Sequence, residues 1–159
     1  MTDGELMKRP NYGDHYVRRR AAELALPEIK SWICAPESSD ADLMRDLMRS
    51  LTAGGGYESA KALENLGWTV DSQLVGILED GDFLFNAREE LVKQWVKCLR
   101  VELSIPVGAD VTYRGREGKV IGYESSMAQY RVRTADLKEN QWLVCVAEEV
   151  TLVASAVAA

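Results

Sequence analysis

Apolar residues recur at two different periods along this chain, and the change between them is its main structural signal. Through about residue 102 the spacing is helical; beyond Pro106 it falls toward two. A flexible arm over residues 1–13 comes first. Asp14 is then placed to cap a helix reaching Leu26, with Val17, Ala21, Leu24 and Ala25 on one face. Pro27 suits the first turn of a separate short helix over 27–33, where its missing N–H costs nothing. Ser38 or Ser39 caps the next helix, which has Asp40 and Asp42 in its first turn and the stripe Leu43, Met44, Leu47, Met48 and Leu51. Gly54, Gly55 and Gly56 end it. A helix over 57–66 turns Ala60, Leu63 and Leu66 inward and stops at Gly67. Asp71 caps another, bearing Leu74, Val75, Ile77 and Leu78, that ends at Gly81. Asn86, with Glu89 three residues on, caps a last helix with Leu91, Val92, Trp95, Cys98 and Leu99 on one face.

From Ile105-Pro106-Val107-Gly108 onward, glycines fall at turn spacing. Strands are expected at Val111–Tyr113, 119–123, 130–133, 142–146 and 150–153. The fold class is therefore α+β: a helical region over 14–103 packed on a C-terminal five-stranded antiparallel small β-barrel over 104–153, with 154–159 a frayed tail.

Charge narrows the partners. The 159 residues carry 19 basic and 25 acidic side chains, net −6. Residues 1–103 hold 13 basic and 18 acidic groups; residues 104–159 hold 6 and 7. Neither part has the cationic excess that drives broad phosphate binding, so a protein partner ranks ahead of nucleic acid. Cys34, Cys98 and Cys145 are scattered, with no C-x-x-C pair, and His15 is the only histidine. That set predicts reduced, buried thiols, no metal centre and no cofactor. No apolar run approaches a membrane span and the N-terminus has no apolar leader segment, so a cytoplasmic location and no membrane partner are expected.

Pro106-Val107-Gly108-Ala109-Asp110-Val111, residues 115–123, Tyr130-Arg131-Val132 and residues 148–153 carry a resemblance. Together they resemble a Src-homology-3-like small β-barrel, especially its KOW-like and bacterial or phage variants, over about a third of the chain, a style that implies a phage or mobile-element origin. In this pattern Gly108 turns the chain into the first strand, and Gly118 lets the second start after a tight turn. Such barrels bind nucleic acid, peptides or neighbouring domains, so the resemblance implies binding and leaves the ligand class open. Residues 63–71, Leu-Glu-Asn-Leu-Gly-Trp-Thr-Val-Asp, resemble the helix–loop–helix of ubiquitin-associated domains and, more loosely, a helix-turn-helix with Gly67 in its turn.

No catalytic constellation is recognisable. His15 reads as an exposed histidine at a helix start, and Glu79, Asp80 and Asp82 as a solvated turn around Gly81. The four tryptophans read as core anchors, with Trp68, after Gly67, the one expected to be exposed. Arg18, Arg19 and Arg20 fan through about 200° of a helix, which offers a contact for an acidic partner or phosphate. Met44 and Met48 lie on a stripe that serves as core or as a partner or homodimer face. The expected function is a non-enzymatic regulator or inhibitor that occludes a protein partner through Arg18, Arg19, Arg20, Met44, Met48 and Trp68. The alternative is a nucleic-acid-associated factor using a basic-aromatic barrel face of Tyr113, Arg114, Arg116, Lys119, Tyr123, Arg131 and Arg133.

Overall fold

The computed structural model describes residues 8–33 and 38–153. Residues 1–7 of the expected arm, Cys34 and the expected tail 154–159 lie outside them. The chain forms two compact units, residues 1–95 and 96–159.

The first unit is helical: α1 (His15–Trp32), α2 (Asp40–Ser50), α3 (Gly56–Glu64), α4 (Ser72–Gly81) and most of α5 (Phe83–Leu99). One core joins them: Val17, Ala21, Ala25 and Ile29 of α1, Leu47 of α2, Leu63 of α3, Leu74 and Leu78 of α4, and Leu84, Ala87 and Leu91 of α5. Two caps form as expected. The Ser39 side chain accepts the N–H of Asp42, and that of Asp71 accepts the N–H of Leu74. Asp14 occupies the N-cap position of α1, but its carboxylate turns back to accept from the N–H of Asn11 at 2.8 Å.

Several boundaries differ from expectation. Pro27 does not begin a second helix; α1 runs through it. The proline is exposed, and burial of Ile29 one half-turn later holds the last turns on the core. Gly81 stays helical, and Asp82 takes the left-handed stop at φ 38°. Asn86 is not an N-cap: α5 already starts at Phe83, because Phe83, Leu84 and Ala87 are buried at helical spacing. The Asn86 amide instead donates to the carbonyl oxygen of Gly81 at 2.8 Å.

The second unit is a sheet of β1 (Asp110–Tyr113), β2 (Arg116–Glu124), β3 (Gln129–Thr134), β4 (Leu143–Val146) and β5 (Val150–Leu152). All neighbours are antiparallel, in the order β4-β3-β2-β1-β5. Val111, Val120, Tyr130, Val132, Cys145 and Val150 form its core. The α+β class and five antiparallel strands thus hold, but the expected barrel does not close, since no ladder joins β4 to β5. A three-residue 3-10 turn, Ala147–Glu149, connects these two edge strands. Four Cα steps reach at most about 15 Å, whereas five flat strands span about 19 Å, so the sheet curls strongly without sealing. Gly118 is also not at a turn. The hairpin turn is Arg114-Gly115, both at positive φ, and Gly118 lies inside β2. There a Cβ would meet the carbonyl oxygen of Arg133 and Cγ1 of Val132 at 2.7 Å, so glycine is required by the close approach of β3.

Candidate functional site

A groove of about 620 Å³ runs along the surface between α1 and α2. Met44 and Met48, one turn apart on α2 and half-buried, floor it. Arg45 and Arg49 follow them at the same spacing and form one border; His15, Arg18 and Arg19 of α1 form the other. The stripe on α2 thus divides as its spacing requires. Leu43, Leu47 and Leu51 are buried in the unit, while the methionines beside them stay within reach of solvent.

The groove is electrostatically one-sided. Four of its eight lining residues are arginines and none is a carboxylate, although the whole chain is net −6. Arg18 donates through Nη1 to the carbonyl oxygen of Met48 at 3.1 Å. Arg19 pairs with Glu23 at 3.1 Å, and Arg45 with Asp42 at 2.9 Å, both acids lying outside the lining. Ser39 donates its hydroxyl to the Asp42 carboxylate at 2.7 Å, and this bond, with Arg45 next, holds that carboxyl below its usual range. Among the described residues, neither Arg18 nor Arg49 has a carboxylate partner. Arg49, whose guanidinium has no partner among the described residues, and the remaining donors of Arg18 are placed to receive an incoming acid.

The structure therefore brings together Arg18, Arg19, Met44 and Met48. It separates Arg20 and Trp68 from them. Arg20 pairs with Glu90 of α5 at 3.0 Å, which raises its already high pKa, and with Glu23 at 3.4 Å. Trp68, expected to be exposed, is half-buried against the helical core and donates Nε1 to Asp46 at 3.1 Å. It is Trp142, in the sheet unit, that stays open to solvent. Sequence reasoning missed Arg45 and Arg49, and gave His15 no role. The signal for the arginines was present: each directly follows a methionine of the stripe, so they repeat one turn apart beside it.

The basic-aromatic set of the sheet is divided by the pleat. Lys119 opposes Arg133 across β2 and β3, and with Arg131 they share the outer face. Tyr113 instead packs on the inner core, with Arg116 paired opposite it. Three of the cations are matched locally: Arg114 with Glu149 at 2.6 Å, Arg116 with Asp136 at 3.7 Å and Lys119 with Asp110 at 2.9 Å. Arg131 lies over the Trp142 ring, 5.8 Å from its centroid, and Tyr123 is exposed.

Of the thiols, Cys145 is buried as expected, and burial pushes its pKa up to about 11. Cys98 is exposed, against expectation, because it lies on the solvent side of the last turn of α5. Among the described residues, no group of three or more His, Cys, Asp or Glu side chains is placed to hold a metal ion. Glu79 is used otherwise: its Oε2 accepts the N–H of Tyr57 at 3.2 Å in the first turn of α3. No helix among the described residues is long and apolar enough to cross a membrane. No family model, curated protein or solved structure matches the chain.

Proposed function

We propose that this chain is a non-enzymatic binding protein that captures an acidic segment of a protein partner in the α1–α2 groove. By covering that segment it withholds it from other contacts, so it acts as a regulator or inhibitor by occlusion. One observation carries the reading: in a chain of net charge −6, two methionines floor a groove bordered by four arginines and no carboxylate. Arginine borders supply fork-shaped donors for carboxylates and steer an acidic partner in. Methionine supplies an adaptable apolar floor. The groove holds no nucleophile paired with a base, so its chemistry favours holding over turnover.

A photoreactive benzoylphenylalanine at Met48 tests this in cells of the native host. The expected product is a crosslink to an acidic segment of another protein, abolished by Arg45→Glu with Arg49→Glu at unchanged helical content. Crosslinks only to nucleic acid or only to further copies of this chain, or crosslinks that survive the charge reversal, would overturn it.

A further inference from the structure

We infer that the occupant of the groove is an α-helix of about three turns whose apolar stripe is bordered on both sides by carboxylates; this rests on the groove being a binding surface at all. An apolar row with cations on both sides is the observation behind it. Met44 and Met48 make an apolar row repeating once per helical turn. Arg45 and Arg49 repeat at the same interval on one side, and Arg18 and Arg19 of α1 stand together on the other. The surface is thus an apolar row with arginines along both of its sides.

An extended peptide fits this poorly. It turns one row of side chains toward a surface and sends the alternate row away, so it cannot fill a central row and both borders together. A helix presents an apolar stripe about 100° wide with polar positions on either flank. Nucleic acid fits poorly as well, because a methionine floor offers no aromatic platform for bases. The length follows from α2, whose 11 residues rise about 16 Å. The anchoring contact is a carboxylate on Arg49, which has no partner among the described residues.

Fluorescence anisotropy on the full chain tests the inference with three 16-residue peptides of equal net charge. One has leucines at helical spacing with flanking glutamates. A second has the same residues scrambled so that no stripe forms. A third is the first with two interior prolines. The striped peptide is expected to bind about tenfold tighter than either of the others, and Arg49→Glu to weaken it by about tenfold more. Arg49→Glu is further expected to gain affinity for the same stripe flanked by lysines, a rescue that a misfolded variant would not give. If the proline-bearing peptide binds equally well and still depends on Arg49, the helix inference fails and the groove reading stands. If no peptide binding depends on Arg49, both fail. Self-association of the chain that Met48→Asp abolishes would make a second copy the occupant and overturn the inference.

Discussion

Arg18 Nη1 donates to the carbonyl oxygen of Met48 across 3.1 Å, tying α1 to α2 at a residue that floors the groove. Met48 lies in the last turn of α2, where carbonyls lack intrahelical partners. The guanidinium therefore satisfies the end of one helix while standing on the border of the site. Arg18→Met keeps the apolar stem and removes the donor. It should cost about 1 kcal/mol in the urea unfolding of the helical unit, and weaken an acidic ligand as well.

Gly118 and Gly76 should respond to alanine with opposite signs. At Gly118 the added methyl meets a carbonyl oxygen of β3, so the sheet should lose on the order of 2 kcal/mol. At Gly76, inside α4, nothing lies within 4 Å of the added atom, so that substitution should stabilise by about 1 kcal/mol. Thermal unfolding of the two single variants checks both.

The thiols should differ in reactivity and in pH response. Alkylation of the native chain, mapped by mass spectrometry, is expected at Cys98 and not at Cys145 until the sheet unfolds. Because burial raises the Cys145 thiol from an ordinary value near 9 to about 11, the folded state resists the thiolate that the unfolded chain forms readily. Stability should accordingly fall as pH rises from about 9 to about 11, and Cys145→Val should flatten that decline.

Glu149 gives the opposite sign at acid pH. Its bond to Arg114 holds the carboxyl below the ordinary range, so the pair helps folding above that range and is lost as pH falls through the depressed value. Both side chains are exposed, so the effect should be small and shrink with added salt. Glu149→Gln should remove this part of the acid limb of the pH–stability profile.

Local signals were legible and tertiary ones were not. Ser39 and Asp71 were readable as caps because an N-cap bond spans only three residues. The strands were readable because alternation is local: Tyr130 and Val132 are buried and Arg131 is exposed, as their order in the chain requires. The passage of α1 through Pro27 was not, since it depends on Ile29 finding a core built by four other helices. The open sheet was not, since the direction taken by the Ala147–Glu149 turn is not encoded in the strand pattern. The groove was half legible. Arg18 and Met48 stood out separately, but their meeting spans 30 residues of sequence.

Nitrogen–proton correlation spectra of the labelled chain, recorded while the glutamate-flanked striped peptide is added, locate the binding surface residue by residue. Shifts are expected to concentrate at His15, Arg18, Arg19, Met44, Arg45, Met48 and Arg49 and to recede as salt is raised. Shifts confined to the outer face of the sheet around Arg131, Arg133 and Trp142, or a spectrum that does not move, would contradict the groove reading.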